Sequence, residues 1–458
     1  MNRLTWLIVA VAAVVPQPTE SPTTQAARPN IVVIVTDDMG YADLGFQGSK
    51  DIPTPNIDAL AAGGIRFTDA YVSGPYCSPT RAGLMTGRYP QRFGHEFNIS
   101  MTEAHQDAGL PLGEVTMADR LKAAGYRTAL FGKWHLGFAP AFRPTRRGFD
   151  EFYGFLAGAH TYLGAGGAAN PIYDGDSIAR DVPYLTEAFA QHAVDFIRRP
   201  STQPFFLYLA FNAVHVPLQA TDQYLARVAN IAEPQRRAYA ALLVALDDAV
   251  GRTLAALRDA HLEENTLVFY FNDNGGPQQP GAWNGSNNAP LRGGKTETWE
   301  GGIRVPFVIR WKGHLPEGRT DTRPIIQLDV LPTALAAAGV AARPEWKLDG
   351  VNLLPYLTGD QRPPHEALYW RLGTRLAIRK GDWKLVKVTP RGAEEYPDTV
   401  PDISGASLFN LRTDMSEEHD LAAAHPDRVR ELSAAWLAWN RQLKRPGWPP
   451  PVARGRNQ

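Results

Sequence analysis

The chain has 458 residues, with 47 basic and 47 acidic side chains and a formal net charge of +0. That length holds one large α/β domain with an appendage, or two or three smaller domains. The charge balance excludes a general nucleic-acid binder, which needs a basic excess. The single cysteine, Cys77, excludes an internal disulfide.

The chain opens with Arg3 and a short apolar run, Leu4 to Val15, followed by a polar Pro- and Thr-rich spacer up to about Arg28. The run is shorter than the roughly 20 residues a spanning helix needs. Residues 1–27 therefore read as a secretory signal peptide and spacer, with Thr24-Gln25-Ala26 as one candidate cleavage site. The expectation is an exported, periplasmic protein with no stable membrane span. Exported proteins meet oxidising conditions, where an unpaired thiol is a liability. Cys77 is then either a buried bystander or a residue with a chemical task.

Five apolar runs read as buried strands: "NIVVIVTDDMG" from Asn30, "RTALFGKWH" from Arg127, "PFFLYLAFNAVH" from Pro204, "TLVFYFNDNGG" from Thr266 and "VPFVIRW" from Val305. They are rich in β-branched and aromatic residues and lack alternation, as parallel strands covered on both faces do. Helical patterns lie between them, after Leu185, from Arg236 and after Leu331, the last ending on a glycine cap. Alternating strands and helices predict an α/β fold with a large, mostly parallel sheet flanked by helices. Four strands run into polar residues: Asp37-Asp38, Lys133-Trp134-His135, Asn212 with His215, and Asp273-Asn274. Open α/β sheets bind ligands beyond the carboxyl ends of their strands.

From about Arg362 the texture changes. "ALYWRLGTRLAIRKGDWKLVKV" predicts two or three short strands with a Gly-Asp turn, "SLFNLRTDMSEEHDLA" a loop-rich stretch, and "PDRVRELSAAWLAWNRQL" an amphipathic helix burying Leu432, Trp436 and Trp439. The expected division is a catalytic domain over 28–361 and a smaller C-terminal α+β subdomain over 362–458, with a small antiparallel sheet and a terminal helix.

Asp37, Asp38, Asp273 and Asn274 bring hard oxygen donors, which suit Ca²⁺ or Mg²⁺ better than Zn²⁺. In "PYCSPTRAGLMTG", Pro79 can sit in the first turn of a helix, placing Cys77 at its N-terminus, where free N–H groups form a ready anion site. Arg81 lies one turn along and can point back to it. Lys133 and His135 alternate, so both point the same way along an extended chain. Lys295 follows Gly293-Gly294, a flexible lead that lets a cation approach closely. With His215, these groups describe a site for a compact anion with titratable partners for proton transfer.

These residues resemble a known family. "CSPTRAGLMTG" resembles the first signature of the type I, formylglycine-dependent sulfatases, and "GYRTALFGKWH" the second. "VTDDMGYADLG", "AVHVP", "NDNGG", "GGKTETWEGGIRVP" and "LFNLRTDMSEEHDLA" follow in the family's order, from about Pro29 to the final helix. Tyr76 and Phe131 are bulkier than is usual, and Val214 stands where many relatives carry proline. The resemblance implies an alkaline-phosphatase-like fold and hydrolysis of sulfate esters. It implies that a maturation enzyme oxidises Cys77 to formylglycine, whose hydrated diol attacks sulfur and later expels sulfate. It further implies one Ca²⁺ held by Asp37, Asp38, Asp273, Asn274 and the modified Cys77. Arg81 would then fix the diol, and Lys133 and Lys295 would neutralise the sulfate oxygens. His135 would assist sulfate release, and His215 would protonate the leaving oxygen with Lys295.

The tract resembles bacterial members of the arylsulfatase A and N-acetylgalactosamine-6-sulfatase type, so a sulfated carbohydrate is the expected substrate. "QRFGHEFN", "RPTRRGFDEFYGFLAGAHTYLG" and Trp283 to Asn288 are expected near the pocket mouth, with His95, His160, Asn288 and Arg292 as sugar contacts. Two alternatives stay open: a phosphate ester hydrolase on the related fold, and a non-enzymatic binder of sulfated glycans should Cys77 stay unmodified.

Overall fold

The structure, a computed structural model, describes residues 6–8, 28–164, 170–389 and 401–449. Apart from Trp6, Leu7 and Ile8, which are exposed, the expected signal segment and its cleavage site lie outside the described residues. No helix among the described residues is long and apolar enough to cross a membrane.

A ten-stranded sheet forms the centre. Asn30–Thr36 lies in its middle, parallel to both Phe205–Ala210 and Thr266–Asn272. Arg127–Lys133 continues the parallel array beside Phe205–Ala210, followed by Glu151–Phe155. All seven residues of Asn30–Thr36 are buried, which accounts for the unbroken apolar run. Successive side chains still take opposite faces: Val32 and Ile34 enter one core, whereas Ile31, Val33 and Val35 enter the other. Leu185–Arg198 and Pro234–Asp259 cover the first face, and Cys77–Thr86, Met117–Ala123 and Val330–Ala337 the second. The helix Val330–Ala337 stops at Gly339, whose φ of 72° is the left-handed cap expected there.

Two expectations need correction. The strand expected from Val305 is Phe307–Arg310, and it runs antiparallel to Thr266–Asn272. The connection from Asn272 stays at the carboxyl end of the sheet, so the returning strand starts there and must run backwards; a parallel neighbour would need a full crossover. Within the stretch read as loop, Ser407–Asn410 is a strand on the edge of the small sheet. It is only four residues long, and its partner, Trp383–Lys387, is remote in sequence, so no local pattern marks it.

That small sheet comprises Leu368–Leu372, Arg375–Lys380, Trp383–Lys387 and Ser407–Asn410, all antiparallel. The terminal helix Pro426–Asn440 buries Leu432, Trp436 and Trp439 against it. Its junction with the large sheet carries buried ions. Lys384 Nζ lies 2.8 Å from both Glu300 Oε1 and Glu417 Oε1. Arg304 reaches Glu300 and Asp69 at 3.3 and 3.0 Å, and Arg379 reaches Asp69 at 2.6 Å.

Candidate active site

The four polar strand endings converge at one end of the sheet. Asp37 and Asp38 follow Thr36, and Asp273 and Asn274 follow Asn272 on the neighbouring strand. The backbone joins these turns: Asp273 N–H donates to Thr36 O at 3.0 Å, and Asp37 N–H donates to Ala213 O at 2.9 Å. Asp38 has a φ of 57°, a left-handed turn that aspartate tolerates better than most residues. Cys77 is the first residue of its helix and is buried, as Pro79 in the first turn predicts. Its Sγ faces Asp37 Oδ1 at 3.5 Å.

The cations pack among these carboxylates. Arg81 Nη2 donates to Asp273 Oδ2 at 2.8 Å and lies 3.6 Å from Asp37 Oδ2. Lys133 Nζ donates to Asp37 Oδ2 at 2.5 Å, and Lys295 Nζ to Asp38 Oδ2 at 2.7 Å. His215 Nε2 lies 3.4 Å from Asp38 Oδ2, while Nδ1 faces Val216 O at 2.6 Å. Burial by itself raises the Asp37 carboxyl, but Lys133, aided by His215, Arg81 and Lys295, holds it below the usual carboxylate range. Burial and the Asp37 charge push Asp273 up to about 6, against the pull of Arg81. Burial pushes the Cys77 thiol up to about 12, with Asp273 and Asp37 adding to the effect; as encoded, residue 77 is a neutral thiol. Burial holds both His135 and His215 below the ordinary histidine value.

His135 lies beyond the end of its strand with a φ of 58°, so the strict alternation with Lys133 ends at Trp134. Its Nε2 faces Ile99 O at 2.9 Å, leaving Nδ1 buried without a partner. Gly158 makes room for the ring, since a Cβ there would lie 2.7 Å from His135 Cε1. Gly293-Gly294 serves packing rather than flexibility: a Cβ on Gly294 would lie 2.3 Å from Gly276 O. Lys295 is held from both sides, with Gln279 donating to its carbonyl at 2.6 Å and Thr296 N–H donating to Pro75 O at 2.7 Å. Arg375, from the small sheet, donates to Thr296 O at 2.7 Å.

The donor set fits a metal ion. Single atoms of Asp37, Asp38, Cys77 and His215 all lie within 4.8 Å of one another. Asp273 Oδ1 and Asn274 Oδ1 are buried and have no hydrogen-bond partner. An unpaired buried acceptor is costly, and a cation among these oxygens would satisfy both.

Beside this cluster lies a cavity of about 650 Å³, lined by Asp38, His135, His215 and Lys295 together with Tyr76, Asn98, Ser100, Gln235, Gln279 and Trp283. Tyr76 was only an unusual signature residue in the sequence; here its ring centroid lies 5.7 Å from Lys295 Nζ. The four expected sugar contacts do not line this cavity. His95 is buried against Ser78 Oγ at 2.6 Å, and burial drops its pKa to about 3. His160 turns its two ring nitrogens toward the carbonyls of Thr161 and Asn170, at 2.7 and 3.0 Å. Asn288 clamps the backbone of Gly276 and Gly293. Arg292 stacks 3.9 Å above Trp299 and donates to Glu417 O at 2.8 Å. The segments named in the sequence do reach the cavity, but through Asn98, Gly158, Ala159 and Trp283. None of these carries a charge.

Cations, carboxylates and unpaired oxygen donors gathered beside a cavity at the carboxyl end of a mostly parallel sheet fit an enzyme of the alkaline-phosphatase-like fold. The sulfatase family model matches residues 29–340. The chain is 35% identical over 414 residues to N-acetylgalactosamine-6-sulfatase of Canis lupus familiaris, covering 85% of this chain and 78% of that one. It is 35% identical over 455 residues to arylsulfatase A of Homo sapiens, covering 90% and 88%. The solved structure of Ps i-CgsB in complex with k-i-k-neocarrahexaose superposes with a TM-score of 0.85 at 36% identity, covering 93% and 95%. The chain belongs to the sulfatase family and is a sulfuric ester hydrolase.

Proposed function

We propose that this enzyme removes sulfate from a sulfated carbohydrate, with Cys77 converted to formylglycine by a maturation enzyme and one Ca²⁺ held by Asp37, Asp38, Asp273 and Asn274. The observation that carries the substrate class is the cavity beside the ion cluster: amides, a hydroxyl and a half-buried tryptophan around about 650 Å³ suit a sugar ring. One relative is named as a sulfatase of N-acetylgalactosamine, and another was solved in complex with k-i-k-neocarrahexaose.

When present, the modified residue supplies the nucleophile and the cation polarises the sulfate. The remaining work falls to this chain's side chains. Arg81, fixed by Asp273, orients residue 77 at the helix N-terminus. Lys133 and Lys295 neutralise charge developing on the sulfate oxygens, where each preorganised donor contributes most in the transition state. His215 keeps its Nδ1 on the Val216 carbonyl, so Nε2, once the ring has taken up a proton, is the atom that passes it to the leaving oxygen. His135 keeps Nε2 on Ile99 O, so Nδ1 accepts the proton as sulfate leaves. The periplasmic location is part of the same proposal and rests on Arg3 and the apolar run Leu4 to Val15.

Co-expression with a maturation enzyme, followed by mass spectrometry of the Cys77 peptide, is expected to give an aldehyde mass. A panel of sulfated saccharides, with Cys77→Ala as the blank, is expected to yield released sulfate. An active enzyme with an intact thiol, turnover of aryl sulfates alone, or a preference for the matched aryl phosphate would each overturn the reading. Chelation is expected to abolish turnover, and Ca²⁺ rather than Zn²⁺ to restore it.

A further inference from the structure

A second depression adjoins the first. It also measures about 650 Å³, and Trp283 belongs to the lining of both. The loop between them presents alternate residues to each side: Pro277 and Gln279 line the first cavity and Gln278 the second. Trp283 is fixed in place, with Nε1 donating to Ser286 O at 2.8 Å and its carbonyl accepting from Gln235. It stands as a rim between two wells.

The second well is polar. Gln47 Nε2 is buried there without a hydrogen-bond acceptor. Asp51 has both oxygens on Arg236, at 2.9 and 3.0 Å, and Arg236 is bound on its other side to Asp43 at 2.6 Å. Those charges are committed to one another. Lys50, in the same lining, is exposed and has no ion pair among the described residues.

We infer that this well is a subsite for the adjoining sugar of the substrate chain, with Lys50 meeting an anionic substituent on that sugar. The inference rests on the saccharide reading above and extends it: the enzyme acts on an oligosaccharide or polysaccharide that crosses Trp283. Sulfate and carboxylate offer Lys50 the same chemistry, so the substrates compared must separate them.

The test measures kcat/KM on a sulfated monosaccharide and on matched oligosaccharides whose adjoining sugar is sulfated, uronic or neutral. The anionic oligosaccharides are expected to be preferred, with the difference lying in KM. Lys50→Ala is expected to raise KM for the preferred substrate about 3- to 5-fold, the range of an exposed ion pair. Lys50→Glu should raise it further, and both effects should shrink at high salt. Neither substitution should alter turnover of the monosaccharide. Equal kcat/KM across all saccharides, or the same change for mono- and oligosaccharide in the Lys50 variants, overturns the subsite alone. Absence of turnover on every saccharide, with aryl sulfates still cleaved, overturns the proposed function together with the subsite.

Discussion

Two buried ion clusters of equal composition do opposite things in this molecule. At the active site, Asp37, Asp38 and Asp273 face Arg81, Lys133 and Lys295. At the junction with the small sheet, Glu300, Glu417 and Asp69 face Lys384, Arg304 and Arg379. Each has three carboxylates and three cations. The junction cluster is enclosed: Lys384 and both of its glutamates are fully buried, and Glu417 Oε1, which lacks a hydrogen bond, still lies 2.8 Å from Lys384 Nζ. The active-site cluster borders a cavity and leaves Asp273 Oδ1 and Asn274 Oδ1 unpaired. Charge content therefore does not mark a functional site; unfilled coordination beside an open volume does. The junction ties the small sheet to the segment around Glu300, and through Arg375 that sheet also braces the loop of Lys295.

Substitution of one cation in each cluster should separate their roles. Lys384→Met leaves two buried glutamates without their shared partner and is expected to cost about 3–5 kcal/mol of stability. Denaturant unfolding measures this, and kcat per folded molecule should stay near the original value; a proportionate loss of kcat would break the distinction. Lys295→Ala is expected to lower kcat about 10²- to 10³-fold with little change in melting temperature. A large drop in melting temperature with intact kcat would reverse the assignment.

The smallest effect is one of pH. Burial, and the Glu300 charge beside it, raise Glu417 to about 7 despite Lys384, whereas Lys384, Arg304 and Arg379 hold Glu300 down to about 2 against its own burial. Between its unfolded value of about 4.5 and 7, Glu417 binds its proton more tightly in the folded state. Its contribution to stability is thus present at low pH and declines as pH rises through that window. Glu417→Gln mimics the protonated form and should flatten this part of the stability profile, read as melting temperature against pH. A profile unchanged by the substitution would show that the junction does not share a proton.

The candidate site was legible where chemistry follows from position in the chain. Acidic pairs closing apolar runs marked Asp37, Asp38, Asp273 and Asn274, because strands in one parallel sheet deliver their ends to one place. Pro79 and Arg81 marked the helix start at Cys77. His95, His160, Asn288 and Arg292 were chosen for what their side chains can do, and the structure uses those capacities elsewhere. Their partners are Ser78 and carbonyls such as Thr161, Gly276 and Glu417, most of them set by folding rather than by sequence neighbours. Asn98 and Trp283 lie in segments expected near the pocket mouth, but which residue of each segment reaches the cavity depends on the course of its loop.

The sequence by itself determined the α/β class, the central strands and the ion set at their ends, since burial on both faces and polar termination are local properties of each segment. It also determined the helix that begins at Cys77. Only the tertiary structure decided the reversed direction of Phe307–Arg310, the edge strand Ser407–Asn410 and which loop residues line the cavity. Each of these depends on contacts between segments far apart in the chain. Such contacts are set by how the connections close over the sheet, and no stretch of residues carries that information alone.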